Sequence, residues 1–409
     1  MTTTMTLRAG IVLVSFAYTS TAFAEADQSW RHYGGDAGGA RFSPHSEIGP
    51  GNIRNLRQAW VYRTGDISDG ERYPGKSSFK ATPVLHDDTL FVSTPFNRVV
   101  ALDAASGEEV WTFDPHVDFS RRYAEMFTSR GVSLWTDQDV ADNVACRDRV
   151  ILGTLDARLI ALDARNGRRC PGFGVNGELD LSAGIDNFRR GQYSITSPPA
   201  IIGDSIIVGS SVGDNGAVDL DHGNVRAFDA RHGKLLWDWD PIPRQAGMPG
   251  HETWDRNGAA RTGAANAWSI ISTDAGRDLV FVPTTSPSPD FYGGVRPGDN
   301  LFANSLVALH AGTGQIAWHF QTVHHDLWDY DVAPQPALTT ITRDGRTRDV
   351  VVQATKMGHV FVLDRDSGEP VLPIEERAVP RTDMPGEQSA RTQPFPVLPC
   401  PGRSPHWSA

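Results

Sequence analysis

Val323-His324-His325-Asp326-Leu327-Trp328-Asp329-Tyr330-Asp331 is the stretch on which the reading of this chain turns. A strand-and-turn pattern precedes it, Ala308-Leu309-His310-Ala311-Gly312-Thr313-Gly314 and then Trp318. An apolar run, Val350-Val351-Val352, follows it just ahead of Lys356. Its nine residues hold two imidazoles, three carboxylates and two large aromatics. Loops that flank strands are where rigid scaffolds build their sites. A solvated acidic loop would have a similar composition, so the choice depends on the surrounding pattern.

That pattern is a repeat. An apolar strand, a turn, a second apolar strand ending in Ala-Leu-Asp, a glycine turn and a Trp-bearing strand recur along the chain. The unit appears as Ala101-Leu102-Asp103 with Gly107 and Trp111, as Ala161-Leu162-Asp163 with Gly167, and as Ala227-Phe228-Asp229 with Gly233 and Trp237. The fourth is Ala308-Leu309-His310 with Gly314 and Trp318, and the fifth Val362-Leu363-Asp364 with Gly368. The average spacing from Asp103 to Asp364 is about 65 residues. The Asp accepts from backbone N–H groups of the turn, and the Gly supplies positive φ ahead of the next strand. His310 stands where the other units have Asp or its equivalent, and the pattern does not say whether it faces a site. Upstream strands fit as well: Ala81 to Leu85 then Thr89 to Val92, and Ser197 to Ile202 then Ser205 to Val208. Units of this kind cannot each bury both faces alone, and radial stacking into an all-β propeller is the usual solution. A β-sandwich would leave the repeated Trp and Gly unexplained. Leu56 to Tyr62 reads as an orphan strand ahead of the first unit, of the kind that completes a propeller's last blade.

Composition sets the outer bounds. The 409 residues, with 40 Gly and 27 Pro and no long helical periodicity, suit many short strands and turns. A net charge of −11 argues against nucleic acid or an anionic membrane as partner. Residues 1–24 read as an export signal: Arg8, an apolar Ile11 to Ala17, and Ala22-Phe23-Ala24 as cleavage site. The apolar run is well short of the roughly 20 residues a membrane span requires. The expectation is a periplasmic protein with at most peripheral membrane association. Of three cysteines, Cys146 and Cys170 bracket two strand-like runs and would pair in an oxidising compartment, with Cys400 left over. There is no Cys-x-x-Cys-His for a covalently attached c-type haem.

Several blocks, in order, resemble the quinoprotein dehydrogenases that use pyrroloquinoline quinone (PQQ), especially the membrane glucose/quinate type. They are Trp30-Arg31-His32-Tyr33-Gly34-Gly35-Asp36 through Pro44, Ser129-Arg130-Gly131-Val132, Thr196-Ser197-Pro198-Pro199, Gly293 to Asn300, Gln321 to Asp331, Gly358 to Arg365, and Thr392-Gln393-Pro394-Phe395. The resemblance implies an eight-bladed β-propeller, of which about five blades and the orphan strand are present. It implies a quinoprotein-type propeller over residues 25–399, followed by a divergent tail, 400–409. Three further blades at this spacing would take about 200 more residues, so the expectation is a truncated product with an open ring.

PQQ is flat and aromatic and carries three carboxylates, so a site for it needs an aromatic platform, cationic donors and a hard cation near the quinone oxygen. By resemblance, Asp329 is the base that accepts the alcohol proton, and Lys356 lies near the quinone oxygens. Asp326 and Asp331 read as structural. Asp214, Asn266 and Asn215 offer oxygen ligands for Ca²⁺ or Mg²⁺. Arg130 is matched to a cofactor carboxylate and Trp268 to the ring system. Trp135 stands where some glucose-type members place a His, which counts against glucose as substrate. His324 and His325 resemble a metal-binding pair, but adjacent strand residues point to opposite faces, which argues against joint ligation. The expected activity is oxidation of an alcohol or polyol with ubiquinone or another acceptor. The alternative is a non-catalytic propeller scaffold or an inactive relative.

Overall fold

The computed structural model describes residues 30–213, 217–255 and 257–397. Asp214, Asn215, the export signal, Cys400 and the tail lie outside them. Among the described residues, four four-stranded antiparallel sheets and one three-stranded sheet follow one another in chain order. Blade 1 comprises Val84–His86, Thr89–Ser93, Val99–Asp103 and Glu109–Phe113. Blade 2 comprises Ser133–Thr136, Asp148–Gly153, Arg158–Asp163 and Glu178–Asp180. Blade 3 holds Ala200–Ile202, Ser205–Val208, Val225–Asp229 and Leu235–Trp239, and blade 4 holds Ser272–Asp274, Leu279–Pro283, Ser305–His310 and Ile316–Gln321. Blade 5 has three strands, Ala337–Arg343, Arg346–Ala354 and Val360–Asp364, and a separate hairpin pairs Ile374–Ala378 with Thr392–Pro396. The first strand of blade 3 packs beside the first strands of blades 2 and 4, so first strands face the common axis. The fold is a β-propeller whose sheets do not close a ring within the described residues.

The repeat dictates how blades join. In each unit the turn glycine donates its N–H to the carbonyl of the residue four positions earlier, as in Gly107 to Asp103 and Gly314 to His310, both at 2.8 Å. Those glycines sit at φ of +73° and +70°, where an L side chain is strained. Three of the turn glycines also receive the previous blade's indole. A Cβ at Gly167, Gly314 or Gly368 would strike Trp111, Trp237 or Trp318 respectively. Each indole N–H then bonds a carbonyl of that neighbouring turn: Trp111 to Ala164 at 2.9 Å, Trp237 to Ala311 at 2.7 Å and Trp318 to Arg365 at 3.1 Å. Leu179 takes the indole's place against Gly233. The cores accordingly mix neighbours, with Phe91 and Trp111 of blade 1 meeting Leu134, Val150 and Leu162 of blade 2. A single blade therefore has no complete core of its own.

Two expectations need correction. Leu56 to Tyr62 forms no strand, yet Trp60 performs the strand's docking role, packing on Gly107 and donating to Ala104 at 3.2 Å. The backbone of the segment finds no sheet partner among the described residues. The runs Ala81 to Leu85 and Ser197 to Ile202 begin as strands only at Val84 and Ala200. Their starts, which carry Pro83, Pro198 and Pro199, are loops, consistent with a residue that has no backbone N–H to donate.

The block Trp30 to Arg41 crosses the axis instead of joining a blade. Trp30 accepts from Leu85 N, Ala37 from Thr273 N and Gly38 from Leu338 N, which touches blades 1, 4 and 5. Arg31 adds a 2.9 Å bond to Thr136 of blade 2. Cys146 and Cys170 are joined by a disulfide within blade 2.

Candidate active site

The loops that precede first strands, together with those between second and third strands, gather at one face of the propeller. One residue just ahead of the first strand comes from each of several blades: Lys80, Arg130, Thr196 and Trp268. Arg130 N–H donates to the Thr196 carbonyl at 2.9 Å, and Thr82 N–H to the Arg130 carbonyl at 3.0 Å, linking neighbours around the axis. Lys80, Arg130 and Trp268 border a cavity of about 250 Å³ that is also lined by Glu125, Asn266, Thr285, Ser286, Asp290, Asp329 and Asp331.

Asp326 shapes the loop that brings Asp329 there. Its carboxylate is almost wholly buried and accepts from Trp328 N (3.0 Å), Tyr330 N (2.6 Å), Asn304 Nδ2 (3.0 Å) and the Ser286 hydroxyl. The chain wraps around this acceptor and leaves Asp329 at φ +58°, a region Asp tolerates better than most residues. Arg296, fully buried, holds the same loop from below. Its guanidinium donates to the carbonyls of Asp326 (2.6 Å) and Pro289 (3.0 Å) and to Asn300 Oδ1 (3.0 Å). Burial pulls its pKa down to about 10, against the opposing pull of Asp326, Asp290 and Glu387.

Lys356 reaches the same place from the loop after blade 5's second strand. Its Nζ lies 2.8 Å from the Asp329 carbonyl, 3.2 Å from the Asp329 carboxylate and 3.0 Å from Asp331 Oδ2. Burial opposes the ammonium, but Asp331 and Asp329 outweigh it and raise its pKa. Asp331 also accepts Trp268 Nε1 at 3.0 Å and Ser286 N at 2.9 Å. One carboxylate thus ties the indole to the ammonium. Asn266, nearly buried, donates to the Ser210 carbonyl at 2.6 Å and accepts the Thr285 hydroxyl at 3.0 Å. Its amide oxygen retains a second lone pair on the cavity wall. Arg130 lies 4.7 Å from the centre of the Trp268 ring and donates to Thr196 Oγ1 at 2.7 Å.

Asn266, Asp329, Arg130 and Trp268 therefore border one cavity, and Lys356 is bonded to its Asp329. The sequence matches the family described as "PQQ: Glucose/ethanol/alcohol dehydrogenase, beta-propeller domain" over residues 30–408. The chain belongs to this quinoprotein family. It is 40% identical over 383 residues to the quinoprotein glucose dehydrogenase of Escherichia coli (strain K12), covering 91% of this chain and 47% of that relative. It is 36% identical over 397 residues to the quinate/shikimate dehydrogenase (quinone) of Acinetobacter baylyi, covering 91% and 47%. The structure of quinohemoprotein alcohol dehydrogenase from Comamonas testosteroni superposes with a TM-score of 0.71 at 28% identity, covering 91% of this chain and 52% of that one. The chain spans about half the length of the curated relatives it matches.

The cavity suits the quinoprotein cofactor. Arg130, pushed down by burial, and Lys80, pushed down by burial and by Arg130, are two cations crowded at one rim. An anionic ligand relieves both. The indole of Trp268 offers a flat apolar surface, and the Asn266 amide oxygen suits a hard cation. Among the described residues, no three His, Cys, Asp or Glu side chains are grouped to hold a metal ion.

Lys80, Glu125, Ser286, Asp290 and Arg296 escaped the sequence reading. Lys80 was findable, because it occupies the same pre-strand position as Arg130 and Trp268. Arg296 lay inside the matched Gly293 to Asn300 block but carried no assigned role. Asp331, read as structural, lines the cavity. Trp135 packs beneath Arg149 and Arg231 and donates to Asp204 in a first-turn loop, so it does not line the cavity. Its identity carries no argument about substrate. His310 is exposed at its turn. His324 and His325 lie in a loop, not a strand, and diverge for that reason: His324 meets Gln321 and Glu376, His325 the Gly298 carbonyl.

Proposed function

We propose that this protein is a periplasmic quinoprotein dehydrogenase that oxidises an alcohol or polyol, glucose- or quinate-like, with Asp329 as the base. When bound, PQQ supplies the hydride acceptor and a Ca²⁺ or Mg²⁺ ion the Lewis acid. The observation that carries the reading is the Asp329–Lys356–Asp331–Trp268 network opening on the cavity that Asn266 and Arg130 also border.

Each side chain has a part. Asp329, about a third exposed, presents a carboxylate to which a substrate hydroxyl can pass its proton. Lys356 would supply positive charge to stabilise the reduced cofactor. Arg130 and Lys80 would receive the cofactor carboxylates, and Trp268 its ring face, with Asp331 fixing the indole. Asn266 would supply an oxygen ligand of the cation, and Asp214 and Asn215, outside the described residues, are the sequence's further candidates. The names of the relatives support sugar and quinate-like substrates, and one of them names a quinone; ubiquinone is the acceptor proposed. The leader-like residues 1–24 support export.

The test is to add PQQ and Ca²⁺ to the purified protein and follow reduction of an artificial dye with glucose, quinate and simple alcohols. Substrate-dependent dye reduction is expected in the wild type, with a loss of about 10²–10⁴-fold in Asp329→Asn while PQQ still binds. Equal rates in both would remove Asp329 from the chemistry. PQQ binding without turnover on any alcohol would favour a non-catalytic propeller instead.

A further inference from the structure

A second cavity, of about 280 Å³, lies behind the first. Trp328, Tyr330, Met357, His359, Pro394 and Phe395 are among its lining residues. It shares two pieces of backbone with the cofactor cavity. Asp329 points to the first cavity while its neighbours Trp328 and Tyr330 line the second. Lys356 bonds Asp329 while the next residue, Met357, lines the second. The walls are aromatic. Trp328 and Tyr330 stack with ring centres 6.0 Å apart and planes 25° apart, and Trp328 is half exposed. Opposite, the His359 ring lies 5.1 Å from that of Phe395 on the hairpin. The hairpin is anchored to the catalytic loop by a reciprocal pair between Gln393 and the His324 backbone, at 2.8 and 2.7 Å. Thr322 and Gln393 add polar groups to an otherwise largely aromatic and aliphatic lining.

We propose that this groove is the electron-acceptor site and takes the ring of a benzoquinone. The inference rests on the dehydrogenase reading above. The groove lies on the far side of the Trp328–Tyr330 backbone from the Asp329 carboxylate, so an alcohol bound there cannot hand that carboxylate its proton. Electrons need no such contact and cross one layer of backbone. The Trp328–Tyr330 stack and the His359–Phe395 pair both line the groove and offer it aromatic faces on which a flat quinone ring stacks. The balance closes: a benzoquinone takes two electrons and two protons to become the hydroquinone, and one alcohol gives up two of each to become a carbonyl.

The test uses a short-chain, water-soluble benzoquinone and the variants Trp328→Ala and Phe395→Ala. Calorimetric titration of cofactor-free protein should show quinone binding that each variant weakens tenfold or more. In protein loaded with PQQ and Ca²⁺, both should raise KM for the quinone by a similar factor and leave alcohol KM and PQQ affinity unchanged. Unaltered quinone binding in both variants, or a shift in alcohol KM in place of quinone KM, would overturn the proposal. Failure of the wild type to bind PQQ would instead strike the dehydrogenase reading, and the cofactor-free titration would still decide this one.

Discussion

The Asp329, Lys356 and Asp331 side chains divide labour in a way that residue types alone do not reveal. Both carboxylates are within hydrogen-bond reach of one ammonium, but Asp331 is the more enclosed and already carries the Trp268 and Ser286 donors. In the proposed reaction Asp329 takes the proton, and Asp331 would remain as counterion to Lys356. Asp331→Asn should therefore lower stability in denaturant by about 1–3 kcal/mol and dye reduction about tenfold through misplacement of Lys356 and the indole. Rates unchanged in Asp331→Asn would show that Asp329 alone positions the ammonium. The Lys356 pKa is raised, so the stability it contributes is fully present below the unfolded value of 10.5 and is lost as pH rises through the folded value. The difference in unfolding free energy between wild type and Lys356→Met should thus be flat from about pH 7 to about pH 10 and shrink above. At this scale the motif residues were legible, because Asp, Lys and Asn types in a matched block announce chemistry. Asp331 was not, since only coordinates show that its neighbour Trp268, 63 residues away, donates to it.

At the level of elements, the turn glycine and the preceding blade's indole form the joint on which the ring depends. Gly314→Ala places a methyl group against Trp237 at a positive φ, so a loss of about 2–4 kcal/mol is expected from backbone strain and overpacking together. Gly345→Ala, where a Cβ meets nothing, isolates the strain: its cost in the same urea titration should be distinctly smaller. The Cys146–Cys170 bridge closes a loop of 24 residues, and Cys170→Ala should lose roughly 3 kcal/mol by the loop-entropy argument, read as a shift in denaturation midpoint. The Ala-Leu-Asp…Gly…Trp pattern predicted strands, turns and stacking because each residue in it answers to a local backbone demand. Leu56 to Tyr62 shows where local pattern stops. Its apolar spacing suits a strand, but a strand exists only when a neighbour supplies hydrogen bonds, and here the indole of Trp60 docks without them.

Across the whole molecule, the site belongs to no single blade. Its groups come from blades 1 to 5 in turn, so a ligand that touches several of them binds the assembled propeller and not the unfolded chain. PQQ with Ca²⁺ at a hundred times its Kd should therefore stabilise the fold by about 2.7 kcal/mol, seen as a rise in Tm that scales with ligand concentration. No shift at saturating cofactor would mean that these loops do not form a binding site. The chain by itself determined the class of fold, the turns of the repeat and the chemical types at the site, because each follows from short-range backbone preference or from side-chain chemistry within one block. Only the tertiary structure decided which of those groups meet: Lys80 beside Arg130, Asp331 between Trp268 and Lys356, Trp135 away from the cavity, and Trp30 to Arg41 across the axis. The physical reason is that a propeller brings together loops separated by whole blades, and contacts made across that distance are set by how the sheets stack around the axis, which no local run of residues encodes.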